Sequence, residues 1–253
     1  MDELKLVFNL LGALGVFLFG MKVMSEALQK VAGERLKGWL RRITANRFSG
    51  VVTGFLITCL VQSSSATTVM VVSFVNARLI DLVQAIGVIM GANIGTTITG
   101  WLVALLGFKV KLTAFALPAV GVGFFMTFLK GARRRQWGEV VMGFGLLFLG
   151  LSLLKSSVPK PDQDQLTWIK SMADMGFLSL LVFVAIGTLL TIVLQSSSAT
   201  MTLTLTLTAS GWIPYEISAA MILGENIGTT ITANLAAIGT NPAARRAARA
   251  HAL

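Results

Sequence analysis

The sequence is poor in the residues on which most soluble enzymes depend. Of its 253 residues one is cysteine, one histidine and one tyrosine. Only 13% are charged, about half of the ~25% found in an ordinary soluble domain. The lone Cys59 sits in an apolar run, which excludes a disulfide framework and reads as a small buried hydrophobe. The lone His251 lies close to the last residue, Leu253, so Ser/His and Cys/His catalysis and histidine-based metal clusters lack their parts. No Ser-x-x-Lys lies in Phe48–Leu79 or Gly176–Ala209, the segments that carry the triple serines, and no Gly-x-x-x-x-Gly-Lys loop is present. The chain therefore reads as a non-enzyme that does not hydrolyse ATP.

Acidic residues are also scarce, 11 against 21 lysines and arginines, for a formal net charge of +10. The basic residues flank apolar segments, without a basic helix or interleaved aromatics, so they read as topology signals and not as a nucleic-acid surface. The opening Met1-Asp2-Glu3-Leu4-Lys5 lacks the basic start of a signal peptide, and the first apolar segment is expected to be retained.

What the chain does have is apolar sequence: 55% of residues are hydrophobic and the mean hydropathy is +0.78. Apolar segments fall at Leu4–Leu28, Phe48–Leu79, Leu82–Gly107, Val110–Leu129, Trp137–Leu154, Gly176–Ala209 and Ile213–Ile238. The bilayer is the solvent to reason in, and spans of about 20 residues are the unit of counting. Between the first two segments, Gly33–Ile43 sets Leu36, Trp39, Leu40 and Ile43 on one helical face and Arg35, Lys37, Arg41 and Arg42 elsewhere, the pattern of a short interfacial helix.

Two motifs recur. Gln62-Ser-Ser-Ser-Ala-Thr67 returns as Gln195-Ser-Ser-Ser-Ala-Thr200, and Gly91-Ala-Asn-Ile-Gly-Thr-Thr-Ile-Thr99 returns as Gly224-Glu-Asn-Ile-Gly-Thr-Thr-Ile-Thr232. From Gln62 to Gln195 and from Gly91 to Gly224 the offset is the same, 133 residues. A weaker echo, 130 residues apart, pairs Gly15-Val-Phe-Leu-Phe-Gly20 with Gly145-Leu-Leu-Phe-Leu-Gly150. The chain is a duplicated membrane unit. Its expected halves are 1–136 and 137–253. By the 133-residue offset the last helix of the second half would run to about 263, so a truncated second half is expected.

The 32 residues of Phe48–Leu79 would make about 48 Å of helix against a hydrocarbon core of about 30 Å. Split at the serines they become a hairpin that enters to mid-depth and returns, and the same argument applies to Gly176–Ala209. Three crossings then separate the halves and the second is inverted relative to the first. With the N-terminus outside, 14 basic residues fall inside, and 6 outside: Lys5, Lys109, Lys111, Lys155, Lys160 and Lys170. The expected fold is an all-α polytopic membrane protein of two inverted-topology repeats, each with a re-entrant helical hairpin carrying Gln-Ser-Ser-Ser-Ala-Thr and a broken helix carrying Gly-x-Asn-Ile-Gly-Thr-Thr.

Polar groups at mid-membrane are costly unless satisfied or set at a cavity. At each triple serine one half-helix ends and another begins. The second presents free N–H groups and its positive dipole end, an anion site to which hydroxyls add donors. The open carbonyls beside it, with hydroxyl oxygens, suit a hard cation such as sodium. Asn93, Thr96, Thr97, Asn226, Thr229 and Thr230 add amides and hydroxyls, while Gly91, Gly95, Gly224 and Gly228 either break or closely pack a helix. Glu225, which answers to Ala92, can neutralise a cation or take a proton. Lys22 and Glu26, spaced i, i+4, read as an ion pair near the interface. Thr202, Thr204, Thr206, Thr208 and Gly50-Val-Val-Thr-Gly54 read as helix packing.

The doubled Gln-Ser-Ser-Ser and Gly-x-Asn-Ile-Gly-Thr-Thr motifs resemble the paired signatures of the type II sodium/phosphate cotransporter family, in particular its bacterial members. The resemblance covers essentially the whole chain. It implies symport of inorganic phosphate with sodium across the cytoplasmic (inner) membrane, with sodium as coupling ion and no other cofactor. It implies phosphate contacts at Gln62, Ser63, Ser64, Ser65, Gln195, Ser196, Ser197 and Ser198. Sodium would be held among Ser64, Ser65, Thr67, Asn93, Thr96, Ser197, Ser198, Thr200, Asn226 and Thr229. A passive oxyanion channel or a non-transporting phosphate-binding subunit is the alternative, and a homodimer stays open.

Overall fold

The computed structural model describes residues 2–43, 46–109, 113–163, 167, 171 and 176–252, with the backbone alone at 2–3, 33–43, 106, 108–109 and 113. The amphipathic faces expected at Gly33–Ile43, and Lys111 and Lys170 of the charge pattern, lie outside the described side chains. Among the described residues all regular structure is helical.

The helices are α1 (Asp2–Ile43), α2 (Arg47–Val61), α3 (Ser64–Asn76), α4 (Leu82–Trp101), α5 (Thr113–Met126), α6 (Ala132–Ser157), α7 (Phe177–Leu194), α8 (Ser197–Ala209), α9 (Tyr215–Ala236) and α10 (Pro242–Ala250). A stretch of π-helix, Leu102–Lys109, extends α4. Helices suit these apolar runs because in a bilayer every backbone polar group must be satisfied within its own segment. Four stretches, Leu4–Ala32, Leu82–Leu105, Ala132–Ser157 and Phe177–Leu194, are long and apolar enough to cross a membrane. Local chemistry sets several starts. Asn46 with Ser49 and Asp81 with Gln84 form reciprocal capping boxes that open α2 and α4. Bulky apolar side chains such as Phe8, Phe125, Val193 and Ile238 point outward, as a lipid-facing surface requires.

Missing side chains let the helices approach. A Cβ on Gly20 of α1 would strike the backbone of Leu147 in α6, and one on Gly150 of α6 would strike the backbone of Phe17 in α1. These reciprocal contacts make α1 and α6 an antiparallel pair, sealed by Phe17, Met21, Met24, Leu147, Phe148 and Leu151. In the first half α2 lies parallel to α4, with Gly54 against the Val88 carbonyl and Gly91 against the Val51 carbonyl. In the second half α7 lies parallel to α9, with Gly187 against the Met221 carbonyl and Gly224 against the Val184 carbonyl. Every partner in the second pair is displaced by the 133-residue offset from its counterpart in the first. The Gly50-Val-Val-Thr-Gly54 pattern is thus a packing device, as read from the sequence.

One expectation needs correction. The Gly-x-Asn-Ile-Gly-Thr-Thr segments do not break their helices: α4 and α9 run unbroken through Gly91–Thr99 and Gly224–Thr232. Their glycines are spent on the close approach of α2 and α7. Their threonines bond back onto their own helix, Thr96 to the Ala92 carbonyl at 3.2 Å and Thr229 to that of Glu225 at 2.8 Å. The irregular backbone is at the Gln-Ser-Ser-Ser motifs instead.

Candidate functional site

Each triple serine marks a break between two helices. Gln62, closing α2, adopts φ 55° and ψ 28°, and Gln195, closing α7, adopts φ 53° and ψ 27°. This left-handed conformation is uncommon for a residue with a side chain, and it turns the chain sharply at a helix C-terminus. The next residue is an N-cap in both copies. Ser63 Oγ accepts from the Ala66 amide at 3.1 Å, and Ser196 Oγ accepts from the Ala199 amide at 3.3 Å.

A second brace repeats as well. Thr67 Oγ1 donates to the Ser63 carbonyl at 3.0 Å and accepts from Thr58 Oγ1 at 3.1 Å. Thr200 Oγ1 donates to the Ser196 carbonyl at 3.0 Å and accepts from Thr191 Oγ1 at 3.2 Å. These threonines tie the second helix of each break to the first and fix the direction of its N-terminus.

Both breaks line one cavity of about 410 Å³, walled by Gln62 and Ser63 from the first copy, Leu194, Gln195 and Ser196 from the second, and Leu18, Met21, Lys22, Ser25, Glu26 and Gln29 of α1. Two helix N-termini thus meet in one space, each with unpaired N–H groups and a positive dipole end. Ser25 Oγ donates to the Val61 carbonyl at 2.7 Å, one of the orphan acceptors at the end of α2, and Gln29 Nε2 donates to Ser25 Oγ at 3.2 Å. α1 is therefore locked against the first break.

The expected site residues divide into groups. Gln62, Ser63, Gln195 and Ser196 share the cavity. Ser64, Ser197 and Ser198 are buried in the first turns of α3 and α8 and do not line it. Ser65 Oγ lies 3.3 Å from Thr232 Oγ1 of the other half. Of the expected sodium ligands, Thr67, Thr96, Thr200 and Thr229 serve their own helices as described. Asn93 Oδ1 lies 2.9 Å from His251 Nε2 at the end of α10, and Asn226 is exposed. Glu225 is buried and accepts from Thr204 Oγ1, away from the cavity wall.

The two glutamines differ. Gln62 is buried, with Nε2 donating to the Cys59 carbonyl at 2.7 Å and Oε1 accepting from Thr99 Oγ1 at 3.0 Å. Gln195 is exposed; its Nε2 likewise donates to the carbonyl three residues back, that of Ile192, but Thr232, the counterpart of Thr99, is engaged with Ser65. Sequence reasoning gave no separate role to Thr99, Thr232, Ser25 or Gln29, and it read Lys22 and Glu26 as an ion pair near the interface, whereas all four α1 residues form one stripe on the cavity wall. The stripe's i, i+3, i+4, i+7 spacing on an apolar helix was the available signal.

The model of the Na+/Pi-cotransporter family matches residues 16–156 and 167–248, taking in both breaks and all of α2 to α4 and α7 to α9. The chain belongs to this family. Among its relatives is the Escherichia coli O157:H7 protein named "Putative inorganic phosphate export protein YjbB", 33% identical over 242 residues, 96% of this chain and 44% of that one. The Bacillus subtilis (strain 168) "Uncharacterized protein YqeW" is 30% identical over 238 residues, 93% of this chain and 74% of that one. The rat "Sodium-dependent phosphate transport protein 2A" is 44% identical over 101 residues, 38% of this chain and 16% of that one. The chain thus spans less than half the length of YjbB. No solved structure matches it. In this family member both halves of the duplication contribute their Gln-Ser breaks to the same cavity.

Proposed function

We propose that the chain forms the substrate-binding core of a sodium-coupled symporter for inorganic phosphate in the cytoplasmic membrane, with the N-terminus outside and the basic loops inside. Phosphate binds in the cavity between the two Gln-Ser breaks. The observation that carries this reading is the convergence of two serine-capped helix N-termini on one cavity. Amides and hydroxyls there donate to a tetrahedral oxyanion, and the dipoles oppose its charge. Gln62, Ser63, Gln195 and Ser196 make first contact, and Ser64, Ser65, Ser197 and Ser198 act through the turns they begin.

The helices α2 and α3, of 15 and 13 residues, are about 22 Å and 20 Å long, too short to cross a core of about 30 Å singly. We read them, and α7 with α8, as re-entrant hairpins. The antiparallel pairing of α1 with α6, which echo each other in sequence, supports inversion of the two repeats. Transport then alternates access by rocking one repeat against the other around a midplane site. Sodium supplies the positive charge that a neutral serine cradle lacks, held by Ser64, Ser65, Thr67, Asn93, Thr96, Ser197, Ser198, Thr200, Asn226 and Thr229 after rearrangement on loading. The name of YjbB favours a second reading, the same chemistry run outward.

The test is radiolabelled phosphate flux in proteoliposomes under opposed sodium and potassium gradients. Sodium-driven accumulation supports symport, and sodium-driven loss from preloaded vesicles supports export. Equal flux in both salts means a passive oxyanion channel. Binding without flux means a phosphate-binding subunit.

A further inference from the structure

The cavity holds one pair of full charges. Lys22 Nζ lies 3.9 Å from Glu26 Oε1, on the face of α1 that also carries Ser25 and Gln29. Both fall inside the apolar stretch Leu4–Ala32, where an ionisable side chain is costly unless it faces a partner or a water-filled space. The Ser25 bond to the Val61 carbonyl fixes this face beside Gln62. The 130-residue echo puts Ser152 and Ser156 at the matching positions of α6, so the charge pair belongs to the first half alone.

At 3.9 Å, with the Lys22 side chain 70% and the Glu26 side chain 54% exposed, the pair is loose and solvated. Such pairs contribute little to stability and exchange partners readily. Its ammonium stands in the same cavity as two helix N-termini that together amount to roughly one positive charge. A phosphate dianion entering this space meets one side chain able to give it a charge-assisted hydrogen bond.

We propose that Lys22 is the phosphate-recognising cation of the cavity and that Glu26 is its exchange partner, holding the ammonium while the site is empty. This rests on reading the cavity as the phosphate site. When phosphate takes the Lys22 ammonium, the Glu26 carboxylate loses its counter-charge. It then draws a sodium ion into the cavity, which links loading of the anion to loading of the cation without a further acidic residue.

The test measures phosphate binding and initial uptake for the full chain in proteoliposomes, as functions of phosphate and of sodium. Lys22→Met should raise the half-saturating phosphate concentration about tenfold or more, the effect of losing one charge-assisted hydrogen bond. Lys22→Arg should restore most of it. Glu26→Gln should tighten phosphate binding at low sodium and flatten the sodium dependence, with thermal unfolding near wild type. Wild-type binding curves for Lys22→Met would overturn the inference and leave the cavity assignment standing. A wild-type chain that binds no phosphate would overturn the cavity assignment and this inference with it. Equal loss in Lys22→Met and Lys22→Arg, together with a lowered melting temperature, would make Lys22 merely structural and overturn its recognition role.

Discussion

Thr204 Oγ1 donates a hydrogen bond to Glu225 Oε1 at 2.7 Å, and both side chains are closed off from solvent. Glu225 has no ion-pair partner among the described residues, so this hydroxyl is what the carboxyl group relies on. Removing one member of a buried pair costs the desolvation of the other, about 1–3 kcal/mol. Thr204→Val is therefore expected to lower the melting temperature of the detergent-solubilised protein measurably. Glu225→Gln, whose amide oxygen still accepts from Thr204, should shift it much less. Equal melting temperatures for Thr204→Val and wild type would show that the bond carries no stability.

The glycines that bring α2 onto α4 and α7 onto α9 admit no Cβ. Gly54→Ala and Gly187→Ala should each force their helix pair apart, at the typical overpacking cost of about 1–3 kcal/mol. Gly12 and Gly15 have open space around them, so alanine there should be neutral or stabilise α1 by up to about 1 kcal/mol. Thermal unfolding of the four single variants separates the classes. Similar losses at all four positions would contradict the packing described here.

The breaks at Gln62 and Gln195 were legible in the sequence, because three adjacent serines after a long apolar run have no good place within a membrane helix. The duplication was too, since an offset needs no coordinates. The unbroken course of α4 was not: glycine at Gly91 permits a break and a close approach equally, and only the position of Val51 decides between them. The bond from Thr99 to Gln62 joins residues 37 positions apart and leaves no local trace. Lys22 and Glu26 were visible as a pair, but which way α1 turns its polar stripe depends on a helix it meets only in the folded protein.

Capping and anion binding can be separated at the breaks. Aspartate caps a helix as well as serine does, but it places a negative charge where the anion should sit. Ser63→Asp and Ser196→Asp should keep thermal stability close to wild type and abolish phosphate uptake. Ser63→Ala and Ser196→Ala should lose about 1 kcal/mol of stability with the cap and retain part of the uptake. Uptake surviving in both aspartate variants would move the phosphate site out of this cavity.

The two halves share their local geometry and their glycine and threonine contacts but differ at Thr99 and Thr232, and that asymmetry makes a prediction about the transport cycle. Here Thr99 holds Gln62 while Thr232 holds Ser65, and Gln195 is free of Thr232. If transport exchanges the roles of the halves, the opposite state has Thr232 holding Gln195 and Thr99 holding Ser198. Each threonine then serves both states, but each glutamine serves only one. Gln62→Leu should depopulate the state described here, and Gln195→Leu should depopulate the other. A cysteine at Leu18 on the cavity wall, in a Cys59→Ala background, reports on this through its rate of modification by a membrane-impermeant thiol reagent. The two leucine variants should shift that rate in opposite directions relative to the parent. Shifts in the same direction would mean that the halves do not trade places, and that the asymmetry is a fixed feature of the fold.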